Sequence, residues 1–73
     1  MKAKIIEALR LKYMGVIAEG EANIEIYLTN SAGIGEHPEV LEAIDTQLHK
    51  IAEAKDKLLV IDETFDNPNH LVE

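Results

Sequence analysis

The sequence predicts an all-α fold, an antiparallel helical hairpin of two long helices in a single domain spanning residues 1–73. Both halves repeat apolar residues every three or four positions, which is typical of a helix face that packs on a partner helix. The only internal cluster of turn-forming residues lies between them, at 30–38. We therefore expect a first helix over about 3–30, an interhelical loop over 31–37, a second helix over 38–65 and a tail over 66–73.

The first helix carries two apolar stripes. The stripe expected to face the second helix comprises Ile6, Leu9, Tyr13, Val16, Ile17, Gly20, Ile24, Tyr27 and Leu28. A narrower stripe on its back comprises Leu11, Met14, Gly15, Ala18, Ala22 and Ile26. A hairpin buries only one stripe per helix, and a chain this short without cysteine commonly gains stability by oligomerising. The back stripe therefore predicts an oligomer seam, through which two hairpins dimerise into a four-helix bundle.

A small α+β fold is the alternative prediction for the two halves of the chain. Residues 23–29 alternate polar and apolar side chains, and residues 57–62 resemble a buried strand, so the two would frame a β-α-β unit. Two strands are too few for a parallel sheet covered on both faces, which favours the helical reading.

The interhelical turn is predicted from Gly33, Gly35, His37 and Pro38. Either glycine can adopt the positive φ that ends a helix, and proline suits the first turn of the next one. The residue before proline avoids the helical conformation, which places His37 just outside the second helix. A phosphate-binding loop is disfavoured, since Glu36 and its acidic neighbours would repel the ligand.

The second helix carries one apolar stripe and meets the first with complementary charge. Residues 1–12 have a net charge of +3 and the remainder −10, so an antiparallel hairpin brings the basic start of helix 1 beside the acidic end of helix 2. The predicted stripe comprises Val40, Leu41, Ile44, Leu48, Ile51, Ala54, Leu58, Ile61 and Phe65.

Candidate chemical sites are sparse. Asp45, His49 and Glu53 share one helix face and have the residue types of a metal or acid–base site, but one exposed face offers no pocket. We therefore expect no catalytic residue, cofactor or metal, and a protein that is not an enzyme.

Charge and hydropathy restrict the partners and the location. A formal charge of −7 argues against nucleic acid and against an anionic membrane surface as partners. No apolar run approaches the roughly 20 residues that span a bilayer, and the N-terminal residues lack the pattern of a signal peptide. A cytoplasmic location is expected.

The run at 27–40 (YLTNSAGIGEHPEV) resembles a small uncharacterised family of helical proteins from tailed phages (myoviruses) of marine cyanobacteria. Its specific part is Gly-Ile-Gly-Glu-His-Pro at 33–38, and IAEAKDKL at 51–58 is similar too, so the resemblance covers residues 3–65. It implies a phage-encoded protein in the host cell cytoplasm and implies no activity.

These patterns favour a non-enzymatic protein–protein interaction or assembly protein, which forms a homodimer and binds a protein partner that the sequence does not identify. Two alternatives remain open at this point. One is an acidic decoy that blocks a nucleic-acid-binding surface, and the other is a small metal- or ligand-binding helical bundle.

Overall fold

The computed structural model describes residues 1–29 and 39–66, which form two antiparallel helices. Helix α1 spans Lys2–Thr29, helix α2 spans Glu39–Ile61, and a wider π-helical turn, Asp62–Asp66, continues α2. The predicted helical hairpin is therefore confirmed. The β-α-β alternative is wrong, because 23–29 lie within α1 and 57–62 lie within α2 and its continuation, where helical hydrogen bonds satisfy the backbone without a sheet. The predicted turn residues Gly33, Gly35, His37 and Pro38 lie outside the described residues.

The core is a narrow line of contact between the two helices. On α2 the buried hydrophobic residues of the described chain are Ile51, Ala54 and Ile61, spaced three and seven residues apart on one face. Gly20 is the buried residue of α1. The rest of the α1 contact face is half-buried and comprises Ile6, Leu9, Arg10, Tyr13, Val16, Ile17, Asn23, Ile24 and Tyr27.

The helices approach most closely at Gly20. A Cβ atom placed on Gly20 would lie 2.7 Å from Cγ1 and 3.0 Å from Cδ1 of Ile51, and 3.5 Å from the carbonyl oxygen of Gln47. Gly20 therefore leaves room for the Ile51 side chain, which explains why a residue unfavourable in helix interiors is present here. Helix α1 continues through both Gly15 and Gly20 without interruption.

Beside this contact lies a hydrogen bond that crosses the interface. The Asn23 side-chain nitrogen donates to the Gln47 side-chain oxygen at 3.1 Å, and Gln47 is only 7% exposed. Pairing of this kind stabilises most when both groups are shielded from water, since an unpaired buried amide is costly. The pair fixes which turn of α1 lies opposite which turn of α2.

Four residues assigned to the apolar stripes lie outside the core, so those assignments were wrong. Leu28 is 61% exposed, Leu41 76%, Leu48 51% and Phe65 43%. The contact line on α2 runs through Gln47 and Ile51, and Leu48 lies one residue further on, about 100° around the helix. Helix α2 is therefore rotated about its own axis relative to the predicted orientation, so that Gln47 is buried and Leu48 is exposed.

Opposite charges bring the start of α1 and the end of α2 together, as the sequence predicts. Arg10 Nη1 and Asp62 Oδ1 form an ion pair of 2.7 Å between the basic start of α1 and the acidic end of α2. Lys2 Nζ lies 5.5 Å from the ring centre of Phe65, and Lys57 Nζ lies 5.2 Å from that of Tyr13. These partly exposed contacts each contribute little, but together they favour one antiparallel register.

The two glycines of α1 should respond oppositely to alanine. Gly20→Ala places a Cβ against Ile51, and we expect it to lower the free energy of unfolding by about 1–2 kcal/mol. Gly15→Ala is the matched control, because nothing lies within 4 Å of its Cβ position; we expect a gain of roughly 0.5–1 kcal/mol from helix propensity. Urea unfolding followed by circular dichroism measures both. Equal gains for both variants would contradict the close approach at Gly20.

The Asn23–Gln47 pair should behave as a coupled unit. Asn23→Leu leaves the buried Gln47 amide without its donor, so we expect a loss of about 1–3 kcal/mol. The double variant Asn23→Leu/Gln47→Leu should recover most of that loss, because both polar groups are then gone. A double-mutant cycle from urea unfolding gives the coupling energy, and additive effects of the two substitutions would show that the pair is not coupled.

Candidate interaction surface

The predicted oligomer seam lies on the face of α1 that points away from α2. All six of its residues, Leu11, Met14, Gly15, Ala18, Ala22 and Ile26, are exposed in the hairpin. The exposed fractions of Leu11, Met14 and Ile26 are 61%, 56% and 54%. Among residues 1–29 and 39–66, no other part of the hairpin covers the seam, and its role in dimerisation remains a prediction.

The hairpin also has two broad sides, to which both helices contribute. The Arg10–Asp62 ion pair marks one side. The other is marked by a groove between the helices, lined by Lys12, Tyr13, Val16, Glu19, Lys50, Glu53, Ala54 and Lys57. Since each residue advances about 100° around its helix, other side chains can be assigned to a side by their spacing from these markers.

The side marked by Arg10 and Asp62 carries five large exposed apolar side chains, with Glu21 and Lys55 among them. Leu41 and Leu48 lie on a line of heptad spacing that continues through Lys55 to Asp62, and Leu28 lies about five full turns after Arg10, so the three leucines point to this side. With Met14 and Leu59 they form what we call the apolar side: Met14, Leu28, Leu41, Leu48 and Leu59, all roughly half or more exposed.

Two open grooves indent the same side of the hairpin. One of about 340 Å³ is lined by Leu41, Glu42, Ile44, Asp45 and Leu48. The other, of about 500 Å³ near the open end, is lined by Lys2, Ala3, Ile6, Glu7, Arg10 and Phe65. Their mainly apolar walls extend the apolar side along most of the molecule.

The opposite side is charged. Lys12 and Glu19 of α1 stand across the groove from Lys50, Glu53 and Lys57 of α2. Lys57 Nζ lies 3.9 Å from a Glu53 carboxylate oxygen one turn earlier, and it also approaches the Tyr13 ring. This alternation of charges suits contact with water, and Ile5 lies on the same side, seven residues before Lys12. The apolar side is the less polar of the two.

The candidate chemical cluster is divided between the outer face of α2 and the charged groove. Asp45 and His49 are exposed on the outer face, whereas Glu53 lines the groove. Within 1–29 and 39–66 no three His, Asp or Glu side chains are grouped to hold a metal ion. In the described part of the chain neither helix is long and apolar enough to cross a membrane.

The apolar side was missed from the sequence, although a signal for it existed. Leu41, Leu48 and Leu59 follow one another at spacings of seven and eleven residues, which repeat one direction on a helix. The sequence analysis assigned Leu41 and Leu48 to the stripe that faces α1, which hid their alignment with Leu59. The apolar residues of α2 cover a wide part of its circumference, and periodicity does not show which of them face α1 and which face another partner.

Comparison with known proteins gives no relative: no family model, no curated protein and no solved structure matches the chain.

Proposed function

We propose that this protein is a non-enzymatic interaction and assembly protein whose working form is a homodimer. In it, two hairpins join their apolar sides to form a four-helix bundle. The observation that supports this proposal best is the apolar side itself, where both helices present large exposed side chains such as Met14, Leu41 and Leu48. The hydrophobic effect favours covering such a surface.

The hairpin by itself is a single layer of helices. Its smallest dimension is 13 Å, close to the roughly 10–12 Å diameter of one helix with its side chains. Stable domains commonly consist of two packed layers around a core, whereas here the described chain buries only Ile51, Ala54 and Ile61 among its hydrophobic residues. A second layer on the apolar side would supply the missing half of the core.

A second copy of the same hairpin fits that requirement. The Gly20–Ile51 and Arg10–Asp62 contacts set a register in which Met14 is nearly level with Leu59, and Leu28 with Leu41. A twofold axis along the hairpin would place α1 of one copy over α2 of the other. Met14 would then meet Leu59, and Leu28 would meet Leu41, with all neighbouring helices antiparallel.

The same pairing leaves the charged side and the outer faces of both helices in water, where they can bind other proteins. The proposal includes a cytoplasmic location, supported by a chain that contains no cysteine and so suits a reducing compartment. The phage resemblance of residues 27–40 remains a prediction and would place the assembly in an infected cell.

The bundle can be tested at Leu48. We expect the wild-type chain to be dimeric at micromolar concentration, and Leu48→Glu to weaken that association about a hundredfold. Each copy loses roughly 1.5 kcal/mol or more of apolar burial, and a dimer contains two copies. Light scattering after size exclusion measures the mass, and circular dichroism checks that the variant stays helical.

His49→Glu is the matched control, because the adjacent residue also receives an acidic side chain but points to the outer face of α2. We expect it to keep the dimer. A fully helical wild-type monomer at micromolar concentration would refute the bundle, as would equal masses for wild type and Leu48→Glu.

A further inference from the structure

Two oppositely charged residues, Glu21 and Lys55, stand among the leucines of the apolar side, one on each helix. Both are exposed, and within residues 1–29 and 39–66 neither takes part in an ion pair. In the homodimer proposed above, the second hairpin would remove water from both groups. A charge that loses water without gaining a partner is costly, so such a dimer favours an opposite charge beside each of them.

We propose that Glu21 of each copy forms an ion pair with Lys55 of the other, and that these two pairs make a second copy of this chain the specific partner of the apolar side. The inference rests on the proposed homodimer and adds the residues by which one copy recognises the other. It is supported by the heights of the two residues along the hairpin, by the tilt of their side chains, and by the charges that other arrangements would bring together.

The register of the hairpin brings the two charges to similar heights. Gly20 lies opposite Ile51. Four residues from that contact on each helix, Lys55 is therefore level with Val16. With the twofold axis along the hairpin, Lys55 of the second copy would stand over α1 at this height, five residues from Glu21. Five residues of α-helix rise about 7.5 Å, a distance that two long side chains share between them.

The two side chains also tilt toward each other. In an α-helix, side chains tilt toward the N-terminus of their own helix. Glu21 therefore tilts toward the start of α1. Lys55 tilts toward the start of α2, at the other end of the hairpin, because the helices are antiparallel. Since Lys55 of the second copy would stand nearer the start of α1 than Glu21 does, both tilts shorten the gap.

The alternative orientation of two hairpins brings like charges together. With the twofold axis across the hairpin, α1 would pack on α1 of the second copy. Met14, Glu21 and Leu28 follow one another at spacings of seven residues. The register that sets Met14 opposite Leu28 of the second copy therefore sets Glu21 opposite Glu21. Like charges inside an interface are unfavourable, which favours the orientation with α1 over α2.

The other charges on this side lie toward its two ends. Where α1 starts, Arg10 pairs with Asp62 within each hairpin, and Lys2 and Glu7 line the same groove. Asp45 lies near the start of α2 and tilts away from the middle of the hairpin. The middle of the dimer interface is thus left to the proposed ion pairs.

Charge reversal tests the pairing. Glu21→Lys would set two lysines against each other in both contacts, and Lys55→Glu would set two glutamates. We expect each variant to weaken dimerisation about tenfold at low salt. An equimolar mixture of the two variants should dimerise about as tightly as wild type, because both contacts then join opposite charges. Sedimentation equilibrium measures the dissociation constants, and circular dichroism checks that each variant stays helical.

Glu19→Lys and Lys50→Glu are the matched controls, because they make the same changes in net charge on the charged side of the hairpin. We expect both to keep a dissociation constant close to that of wild type.

The outcomes separate the ion pairs from the homodimer itself. A wild-type dimer that is weakened by Leu48→Glu but unaltered by Glu21→Lys and Lys55→Glu would refute the ion pairs and leave the bundle standing. A mixture no tighter than its components would assign the effect of the variants to contacts within one hairpin, and would also refute the pairing. A monomeric wild type would refute both proposals.

Discussion

The close approach of α1 and α2 at Gly20 is the constraint on which the rest of the hairpin depends. Without a side chain at Gly20, Ile51 reaches the α1 backbone, and Gln47 is drawn into the interface within hydrogen-bonding distance of Asn23. This contact sets how α2 is rotated about its own axis. Every other assignment on α2, buried or exposed, follows from that rotation, because residues on a helix keep fixed angles to one another.

The rotation has a consequence for the whole surface. It turns Leu41 and Leu48 out of the interhelical contact and aligns them with Leu59 on one side of the hairpin, while Lys50 and Lys57 turn to the other. A single layer of two helices cannot enclose these leucines. In the homodimer that we propose, the second copy would cover them.

The two glycines of α1 differ in what surrounds them. Gly20 has its neighbour within the chain, in Ile51, whereas Gly15 faces outward with open space around it. The two positions are five residues apart, which directs them to different faces of the helix.

The sequence by itself determined the two helices, their antiparallel arrangement, the meeting of the basic and acidic ends at Arg10–Asp62, and an apolar stripe on the back of α1. Periodicity and charge sufficed because both are properties of single helices and of their order. The tertiary structure alone decided that Gln47 is buried and Leu48 exposed. Gln47 and Leu48 are adjacent in sequence and about 100° apart on α2, so periodicity alone does not say which of them faces α1. The close contact of Gly20 with Ile51 decides it.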